Sequence, residues 1–341
     1  MKGFRFLSVL MLVSLVLAAC SPATTAAPTS APAATQPPAA TDTAAPPTAV
    51  PMTDTPAATA TPAATSTPTL PPAPTPVAAV PADALAQKGK LLICTDFPYP
   101  PQEFFDDQGN PQGMDVEIGL EIGKRLGLEV QFVNSVFDSI IAAVTSGKCD
   151  IIISAMNITT DRQKQVSMLP YFQAGQALVA LKGNPAGINT TMDLCGKSVA
   201  AESGTTEANY LQGVTADYQG KGLTQECTKA GKQPITTVVT QKDSDALQQL
   251  QSGKVVAYFA DSPVAAYYTV QQPDQFQLVG QVLQPVPEGI AFPCGGPADC
   301  TNAPLTPLGT AIKTALSSMM SDGTYLKILT KWNLQDSAVK P

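Results

Sequence analysis

The stretch Ser154-Ala-Met-Asn-Ile-Thr-Thr-Asp-Arg162 joins a predicted strand to a predicted helix, and the interpretation of the fold starts from it. The run Cys149-Asp-Ile-Ile-Ile before it is apolar and β-branched, which is typical of a strand buried on both faces. Thr160 and Gln163 have the spacing of a capping box, which predicts a helix beginning at Thr160. Arg162 then lies in the first helical turn, where the macrodipole disfavours a cation. Its position indicates an anionic partner, either a nearby acidic side chain or a ligand.

Strand and helix patterns alternate on both sides of this stretch, which predicts an α/β fold of parallel βαβ units. The predicted strands cover residues 90–95, 129–133, 149–154, 197–201, 235–239 and 255–260. The predicted helices cover residues 114–126, 137–144, a segment opened by residues 203–206, residues 245–250, a segment capped by Ser262 with Pro263 at its first position, and residues 308–332 with a break near Gly323.

Four side chains fall at strand-to-helix junctions: Asp96, Arg162, Thr206 and Asp261. Ligands of parallel α/β sheets collect beyond the carboxyl ends of the strands, so these side chains are candidates for one site. Gly204 and the two threonines after it add backbone N–H groups at a helix start, which favour an anion. Arg162 and the turn at Gly204 attract an anion, and Asp261 attracts a cation. Together they complement a ligand that carries both charges, a zwitterion. The predicted ligand therefore carries a carboxylate and an ammonium.

Residues 1–19 have the features of a bacterial lipoprotein signal peptide. Lys2 and Arg5 precede an apolar run over residues 6–17, which is too short for a comfortable membrane span. Small residues then lead to Cys20. The pattern predicts cleavage before Cys20, lipidation of its thiol, and export to the outer face of the cytoplasmic membrane. An ordinary signal peptide followed by a chance cysteine is the alternative.

The composition of the chain after the signal peptide limits its possible structure and function. Residues 20–87 are almost wholly Ala, Pro and Thr, which predicts a disordered tether on the lipidated cysteine. The following stretch of roughly 255 residues suits two domains, or one fold of two lobes. The chain contains no histidine, which excludes Ser-His-Asp and Cys-His catalysis and His-ligated zinc. A net charge of −7 argues against a nucleic-acid partner.

The chain has seven cysteines, and those beyond Cys20 are disulfide candidates in an exported protein. Cys94 and Cys149 lie within or beside apolar runs, so buried thiols are the simpler interpretation for them. No CxxC pair occurs, and no metal site is predicted. The predicted disulfides are Cys294–Cys300 and Cys195–Cys227.

Six stretches, in this order, resemble the polar-amino-acid-binding proteins of ABC importers, solute-binding protein family 3, over about residues 88–334. They are Thr95-Asp-Phe-Pro-Tyr-Pro-Pro-Gln-Glu-Phe104, Gly113-Met-Asp-Val-Glu117, residues 154–162, Ser203-Gly-Thr-Thr206, Asp261-Ser-Pro-Val-Ala-Ala266, and Asp322-Gly-Thr-Tyr through Lys331-Trp332.

The resemblance implies a two-lobe periplasmic-binding-protein fold of type II. Each lobe would be a mainly parallel sheet flanked by helices, and two hinge strands would join the lobes. One lobe would comprise residues 88–180 and 290–341, and the other residues 181–289. The chain would cross near residues 179–182 and return near residues 287–292.

The resemblance also implies a role for each candidate residue. Arg162 and Thr206, with Gly204 in the same turn, would bind the ligand's α-carboxylate, and Asp261 its α-ammonium. The other implied contacts are Tyr99 and Phe137 sandwiching the ligand side chain, Ser154 and Asn157 as polar contacts, and Asp96 and Glu207 at the ligand's far end.

Alternatives stay open for several of these residues. Tyr99 and Phe137 are also typical core residues, and Asn157 stands where the family usually has Ser or Thr. Acids at positions 96 and 207 would suit a ligand with a second cation, such as lysine, arginine or ornithine. The alternative interpretation of Glu207 is a helix N-terminal acid that faces water.

The implied function is a monomeric substrate-binding lipoprotein, not an enzyme and without a cofactor, that captures a free polar L-amino acid and delivers it to the permease of an ABC importer. One rival interpretation is a sensor that reports its ligand to a separate receptor. Another is a dehydratase-like enzyme of the same fold, with Glu207 or Asp96 as its acid.

Overall fold

The computed structural model describes residues 75–214, 222–283, 285–296 and 299–340. The predicted signal peptide, the lipidation site Cys20 and most of the predicted tether lie outside these residues. In the part of the chain that is described, no helix has the length and apolar character needed to cross a membrane.

Strands and helices alternate along most of the described chain. The strands are β1 (Lys90–Thr95), β2 (Phe104–Phe105), β3 (Pro111–Gln112), β4 (Glu129–Asn134), β5 (Ile151–Ile152), β6 (Ser167–Ala174), β7 (Gln176–Leu181), β8 (Ser198–Glu202), β9 (Thr236–Thr240), β10 (Ala257–Asp261), β11 (Phe276–Val279) and β12 (Val286–Phe292). The α-helices are α1 (Met114–Leu126), α2 (Ile140–Thr145), α3 (Thr160–Gln165), α4 (Thr206–Gln212), α5 (Leu223–Lys229), α6 (Asp243–Gln251), α7 (Ser262–Gln271), α8 (Pro307–Ser321) and α9 (Thr324–Lys331).

Each predicted strand and helix has a counterpart in the structure, with shifts at its ends. Six strands, β2, β3, β6, β7, β11 and β12, and helix α5 were not predicted. Helix α3 begins at Thr160 as predicted, but the residue that caps it is Thr159, whose hydroxyl accepts the N–H of Arg162. Helix α7 is likewise preceded by Asp261, so Ser262 is its first residue and not its cap. The strand predicted over residues 149–154 is reduced to Ile151–Ile152, although Ile153 N–H still donates to Cys94 O.

Two five-stranded sheets form the two lobes, which confirms the predicted two-lobe α/β fold. Lobe 1 is built on the sheet β4-β1-β5-β12-β6, and lobe 2 on the sheet β11-β7-β10-β8-β9. The prediction of a mainly parallel sheet in each lobe is only partly met, because both sheets are mixed. In each, parallel pairing joins three strands, whereas the strands that carry the chain between lobes, β6, β7, β11 and β12, pair antiparallel.

The chain crosses between the lobes earlier than predicted. Strand β6 ends at Ala174 in the lobe 1 sheet and β7 begins at Gln176 in the lobe 2 sheet, so the crossing is at Gly175. The return falls between Val279 and Val286, whereas the expected boundaries were 180/181 and 289/290. Apolar strands lie on both sides of each crossing. The hydropathy pattern therefore does not show where the chain passes from one sheet to the other.

The described chain also folds before the expected start at residue 88. Residues 82–84 form a short 3-10 helix, and Val80 and Leu85 pack partly buried against the core of lobe 1. Val77 N–H donates to Arg125 O, and Ala86 N–H to the carboxylate of Asp150. The end of the segment assigned to the tether is therefore part of lobe 1.

Three disulfides are present in the described part of the chain. Cys195–Cys227 and Cys294–Cys300 are the predicted pairs. Cys94 and Cys149, interpreted as buried thiols, form the third bond, across a sequence separation of 55. Strands β1 and β5 are neighbours in the sheet, so the apolar runs that suggested thiols lie beside each other.

Candidate ligand-binding site

One cavity of about 290 Å³ lies where the carboxyl ends of strands from both lobes face each other. Most of the predicted ligand residues line it: Asp96, Tyr99, Phe137, Ser154, Asn157, Glu207 and Asp261. The remaining three, Arg162, Thr206 and Gly204, line a neighbouring groove that shares Phe137 with the cavity. The topology thus brings together residues that are up to 165 positions apart in the chain, since Asp96 and Asp261 line the same cavity.

Arg162 is held between the lobes by backbone carbonyls. Its Nη1 donates to Asn157 O at 2.8 Å in lobe 1, and its Nη2 donates to Gly204 O at 2.9 Å in lobe 2. The guanidinium carbon lies 5.2 Å from the centre of the Phe137 ring, a cation–π contact. The side chain is nearly buried, so its charge is presented to the cleft and not to bulk water.

Asn157 and Thr206 meet across the same cleft. The hydroxyl of Thr206 lies 2.7 Å from Asn157 Oδ1, to which it donates, and it accepts from Gln176 Nε2 at 2.6 Å. The buried Nδ2 of Asn157 has no well-formed hydrogen bond to a described residue, although its proximity lowers the pKa of Asp261 in part. An amide here supplies a donor, as the hydroxyl usual in the family would, so the Asn157 substitution keeps a hydrogen bond available to a carboxylate.

Asp261 ends strand β10 and is almost completely buried. Its Oδ2 accepts the Tyr99 hydroxyl proton at 2.9 Å, whereas Oδ1 makes no hydrogen bond to a described residue. Burial raises the pKa of Asp261 well above its usual value, and the nearby Glu207 and Glu288 carboxyls raise it further, against smaller opposing contributions from Tyr99 and Asn157. An ammonium placed at Oδ1 would let this carboxyl ionise.

Glu207 faces the cavity and not the solvent. Its side chain is 1 % exposed, so the interpretation of a helix N-terminal acid facing water is wrong. Burial raises the pKa of Glu207, while contacts with Thr206 and Arg162 lower it in part. Its Oε1 is a second buried acceptor without a hydrogen-bond partner among the described residues.

Asp96 is fixed from two sides. Its Oδ2 accepts the Phe137 N–H at 2.6 Å, and its Oδ1 contacts the ammonium of Lys242. Burial nevertheless raises the pKa of Asp96, with Lys242 as the main opposing influence. Beside it, burial and the Asp243 and Asp96 carboxyls raise the pKa of Glu202 to about 10.

Ser154 serves the site by positioning. Its hydroxyl donates to Glu103 Oε1 at 2.7 Å and accepts the Asp96 N–H at 2.9 Å. With its proton already used, Ser154 anchors the loop that carries Asp96.

Tyr99 and Phe137 lie between the cavity and the packed interior. Both rings line the cavity, and each also packs against a core cluster, Tyr99 with residues such as Ala155 and Phe137 with residues such as Ile140.

Three lining residues were not predicted as site residues, Glu103, Ala155 and Glu202, and Thr205 was predicted only for its backbone N–H. Glu103 belongs to a family-like stretch, and Glu202 directly follows a predicted strand, as Asp261 does. Lys242 carried no local signal, because its contact with Asp96 joins residues 146 positions apart. In the described parts of the chain, no group of three or more Cys, Asp or Glu residues is placed to hold a metal ion.

Two α/β lobes that enclose a polar cavity at the ends of their strands define the class of two-lobe, type II periplasmic binding proteins. The sequence matches the family of bacterial extracellular solute-binding proteins, family 3, over residues 91–335. The chain belongs to that family.

Its relatives are amino-acid-binding proteins. The arginine-binding protein ArgT of Corynebacterium glutamicum is 27% identical over 260 residues, covering 76% of this chain and 79% of the relative. A solved ancestral arginine-binding protein with bound arginine is 36% identical, with a TM-score of 0.62, covering 72% of this chain and 98% of that one. An ancestral amino-acid-binding protein described as a precursor of cyclohexadienyl dehydratase is 31% identical, with a TM-score of 0.58, and covers 72% and 95%.

Proposed function

We propose that this protein captures a free L-amino acid between its lobes and delivers it to the permease of an ABC importer. The observation that carries the proposal is the set of buried polar atoms that have no partner among the described residues. Asn157 Nδ2 is a donor, while Asp261 Oδ1 and Glu207 Oε1 are acceptors. Unsatisfied buried polar atoms are costly, and a ligand with both a carboxylate and an ammonium would satisfy both kinds.

We assign the α-carboxylate to Asn157, Thr206 and Arg162, and the α-ammonium to Asp261. Arg162 comes from lobe 1 and Asp261 from lobe 2, so a zwitterion between them would favour the closed arrangement. Tyr99 and Phe137 would flank the ligand's side chain.

The charge of the cavity favours a ligand with a second cation. Five carboxyl side chains line it: Asp96, Glu103, Glu202, Glu207 and Asp261. Burial raises the pKa of each, because a carboxylate without enough positive charge around it is unstable in a buried site. A guanidinium or ammonium on the ligand would supply that charge. The names of the relatives, several of which specify arginine, agree with this assignment.

The mature protein would reach its permease while anchored to the membrane. The signal sequence and Cys20 support a lipid on that cysteine, and the Ala/Pro/Thr-rich segment after it would serve as the tether. Mass spectrometry of the protein from membranes of its host tests the anchor, because an unmodified residue 20 at the mature N-terminus would contradict it.

A thermal-shift screen against the twenty amino acids, ornithine and citrulline tests the proposed function. A ligand at 100 times its Kd should add about 2.7 kcal/mol to the free energy of unfolding. Arginine, lysine or ornithine should give the largest shifts. Uptake of the labelled ligand by cells with and without this protein then separates import from sensing. If none of these compounds changes the melting temperature, the proposal fails.

A dehydratase-like activity is the second candidate. The supporting observation is the buried Glu207, whose raised pKa would keep a proton available for a general acid. One solved relative is moreover a precursor of a dehydratase. Incubation with a prephenate-like acid, followed by product detection, decides between catalysis and simple binding.

A further inference from the structure

Lys242 places a cation of the protein itself at one end of the cavity. It lies in lobe 2, directly after strand β9 and before helix α6. Its ammonium crosses the cleft to contact Asp96 Oδ1 in lobe 1. Asp96 lines the cavity, and Glu202, whose pKa is affected by both Asp96 and Lys242, lines it as well.

The two side chains of this ion pair differ in how tightly the surrounding structure holds them. The Asp96 side chain is only 5% exposed and is fixed by the Phe137 N–H. The Lys242 side chain is 27% exposed and has a long flexible stem. Lys242 can therefore swing into water while Asp96 stays in place.

We propose that Lys242 is a specificity-determining residue that competes with the side-chain cation of an amino-acid ligand for Asp96. This inference rests on the proposed function. A ligand with a guanidinium or ammonium at its far end would displace Lys242 and take over the contact with Asp96. A ligand with a neutral side chain leaves the Lys242–Asp96 pair intact.

The competition has a consequence that can be measured. Displacing an ion pair that is partly exposed opposes binding of the cationic ligand but does not affect a neutral one. Removing the charge at position 242 should therefore strengthen binding of cationic amino acids selectively. A simple structural role for Lys242 would change the affinity for both kinds of ligand alike.

The test compares Lys242→Gln with wild type in calorimetric titrations of the full-length protein with L-arginine and L-citrulline. These ligands have nearly the same shape, and only arginine carries the side-chain charge. Lys242→Gln should bind arginine roughly threefold to tenfold more tightly and change citrulline binding less than about twofold. Lys254→Gln is the matched control, since it removes the same charge from an exposed position of the same lobe.

A double-mutant cycle with Asp96→Asn isolates the pair. In the Asp96→Asn background, Lys242→Gln should no longer improve arginine binding. Unchanged or weaker arginine binding by the single Lys242→Gln variant overturns the inference, as does an equal change for the two ligands. A wild-type protein that binds no amino acid in the screen refutes the proposed function itself. A wild type that binds a neutral amino acid, with a Lys242→Gln variant that gains arginine binding, supports both.

Discussion

At the residue scale, the site depends on which donors and acceptors of each buried polar side chain are used within the protein and which remain available. Asn157 accepts from Thr206 through Oδ1, which leaves Nδ2 as the donor for a ligand. The Ser154 hydroxyl, in contrast, already donates to Glu103 and accepts the Asp96 N–H. Two residues from one stretch of sequence thus make different contacts: Asn157 presents an amide N–H to the cavity, and Ser154 fixes a loop.

Arg162 and Asp261 are predicted to hold opposite ends of the ligand. Arg162→Ala should weaken binding of the best amino acid roughly a hundredfold or more, because a buried carboxylate would lose its charged partner. Asp261→Asn should weaken binding roughly tenfold or more and keep the hydrogen bond with Tyr99. Calorimetry measures both effects.

The matched controls for this pair are Lys148→Ala in lobe 1 and Asp274→Asn in lobe 2, which remove exposed charges. All four variants should unfold cooperatively, as circular dichroism can verify. If Arg162→Ala and Asp261→Asn both bind within about threefold of wild type, the carboxylate and the ammonium have been assigned to the wrong residues.

Buried carboxyls should make the stability of the protein depend on pH in an unusual direction. Burial raises the pKa of Asp243 from 3.8 to about 7, and the Glu207 carboxyl adds to the shift. A raised pKa means that the folded state binds this proton more tightly than the unfolded state does. The contribution of Asp243 to stability is therefore complete below about pH 4 and is lost as the pH rises towards 7.

Asp243→Asn should remove the share of this dependence that belongs to Asp243, about a few kcal/mol between pH 4 and 7, and leave that of the other buried carboxyls. The amide can still accept the hydrogen bond that the Tyr258 hydroxyl donates to Asp243. Urea unfolding of wild type and variant at a series of pH values measures the effect, with the exposed Asp274→Asn as control. Parallel pH profiles for wild type and Asp243→Asn would contradict the assignment.

At the scale of elements, short strands and tight caps position the site. Strand β1 leads directly into Asp96, and the chain after β5 leads directly into Ser154. The Cys94–Cys149 disulfide and the Asp150 carboxylate, which accepts the Leu92 N–H at 2.7 Å, hold these two segments together. Strand β1 is therefore covalently joined to the segment that enters β5.

The three disulfides should differ in their contributions to stability. Their sequence separations are 55, 32 and 6 for Cys94–Cys149, Cys195–Cys227 and Cys294–Cys300. On the chain-entropy account, replacing each pair by alanine should cost about 4, 4 and 2 kcal/mol in that order. Denaturant unfolding of the three double variants measures the losses. The Cys294/Cys300 variant is the control for removing two cysteines, and a larger loss for it than for Cys94/Cys149 would contradict the account.

At the scale of the whole molecule, the two lobes share one chain that crosses between them twice, at Gly175 and between Val279 and Val286. The N-terminal part of the described chain belongs to lobe 1 and lies away from the cavity-lining residues. Affinity and stability should therefore respond differently when the chain is shortened from its N-terminal side.

Removing residues 21–74 should leave both ligand affinity and the free energy of unfolding unchanged. Removing residues 21–86 should leave affinity unchanged but destabilise the protein by about 2 kcal/mol, through lost burial of Val80 and Leu85. Calorimetry and urea unfolding of the two truncated proteins test this pair of statements. A tenfold loss of affinity in either would mean that the segment contributes to the site.

The sequence by itself determined most of the helices, the strands that pair parallel, and the polar residues at their ends. Three features follow from periodicity, glycine and local capping. They are helix α1, the break between α8 and α9 near Gly323, and the junction residues Asp96, Arg162 and Asp261. These features depend on neighbours within a few residues. Together with the family-like stretches, they were enough to predict two α/β lobes and a zwitterionic ligand.

Only the tertiary structure decided which side chains share a contact across the cleft. The pairs Lys242–Asp96 and Tyr99–Asp261 join residues 146 and 162 positions apart, and the Cys94–Cys149 bond depends on the pairing of β1 with β5. Local pattern cannot encode such pairs, because the order of strands in a sheet is set by the packing of the whole lobe. The charge that the cavity presents to a ligand is the sum of these distant contacts.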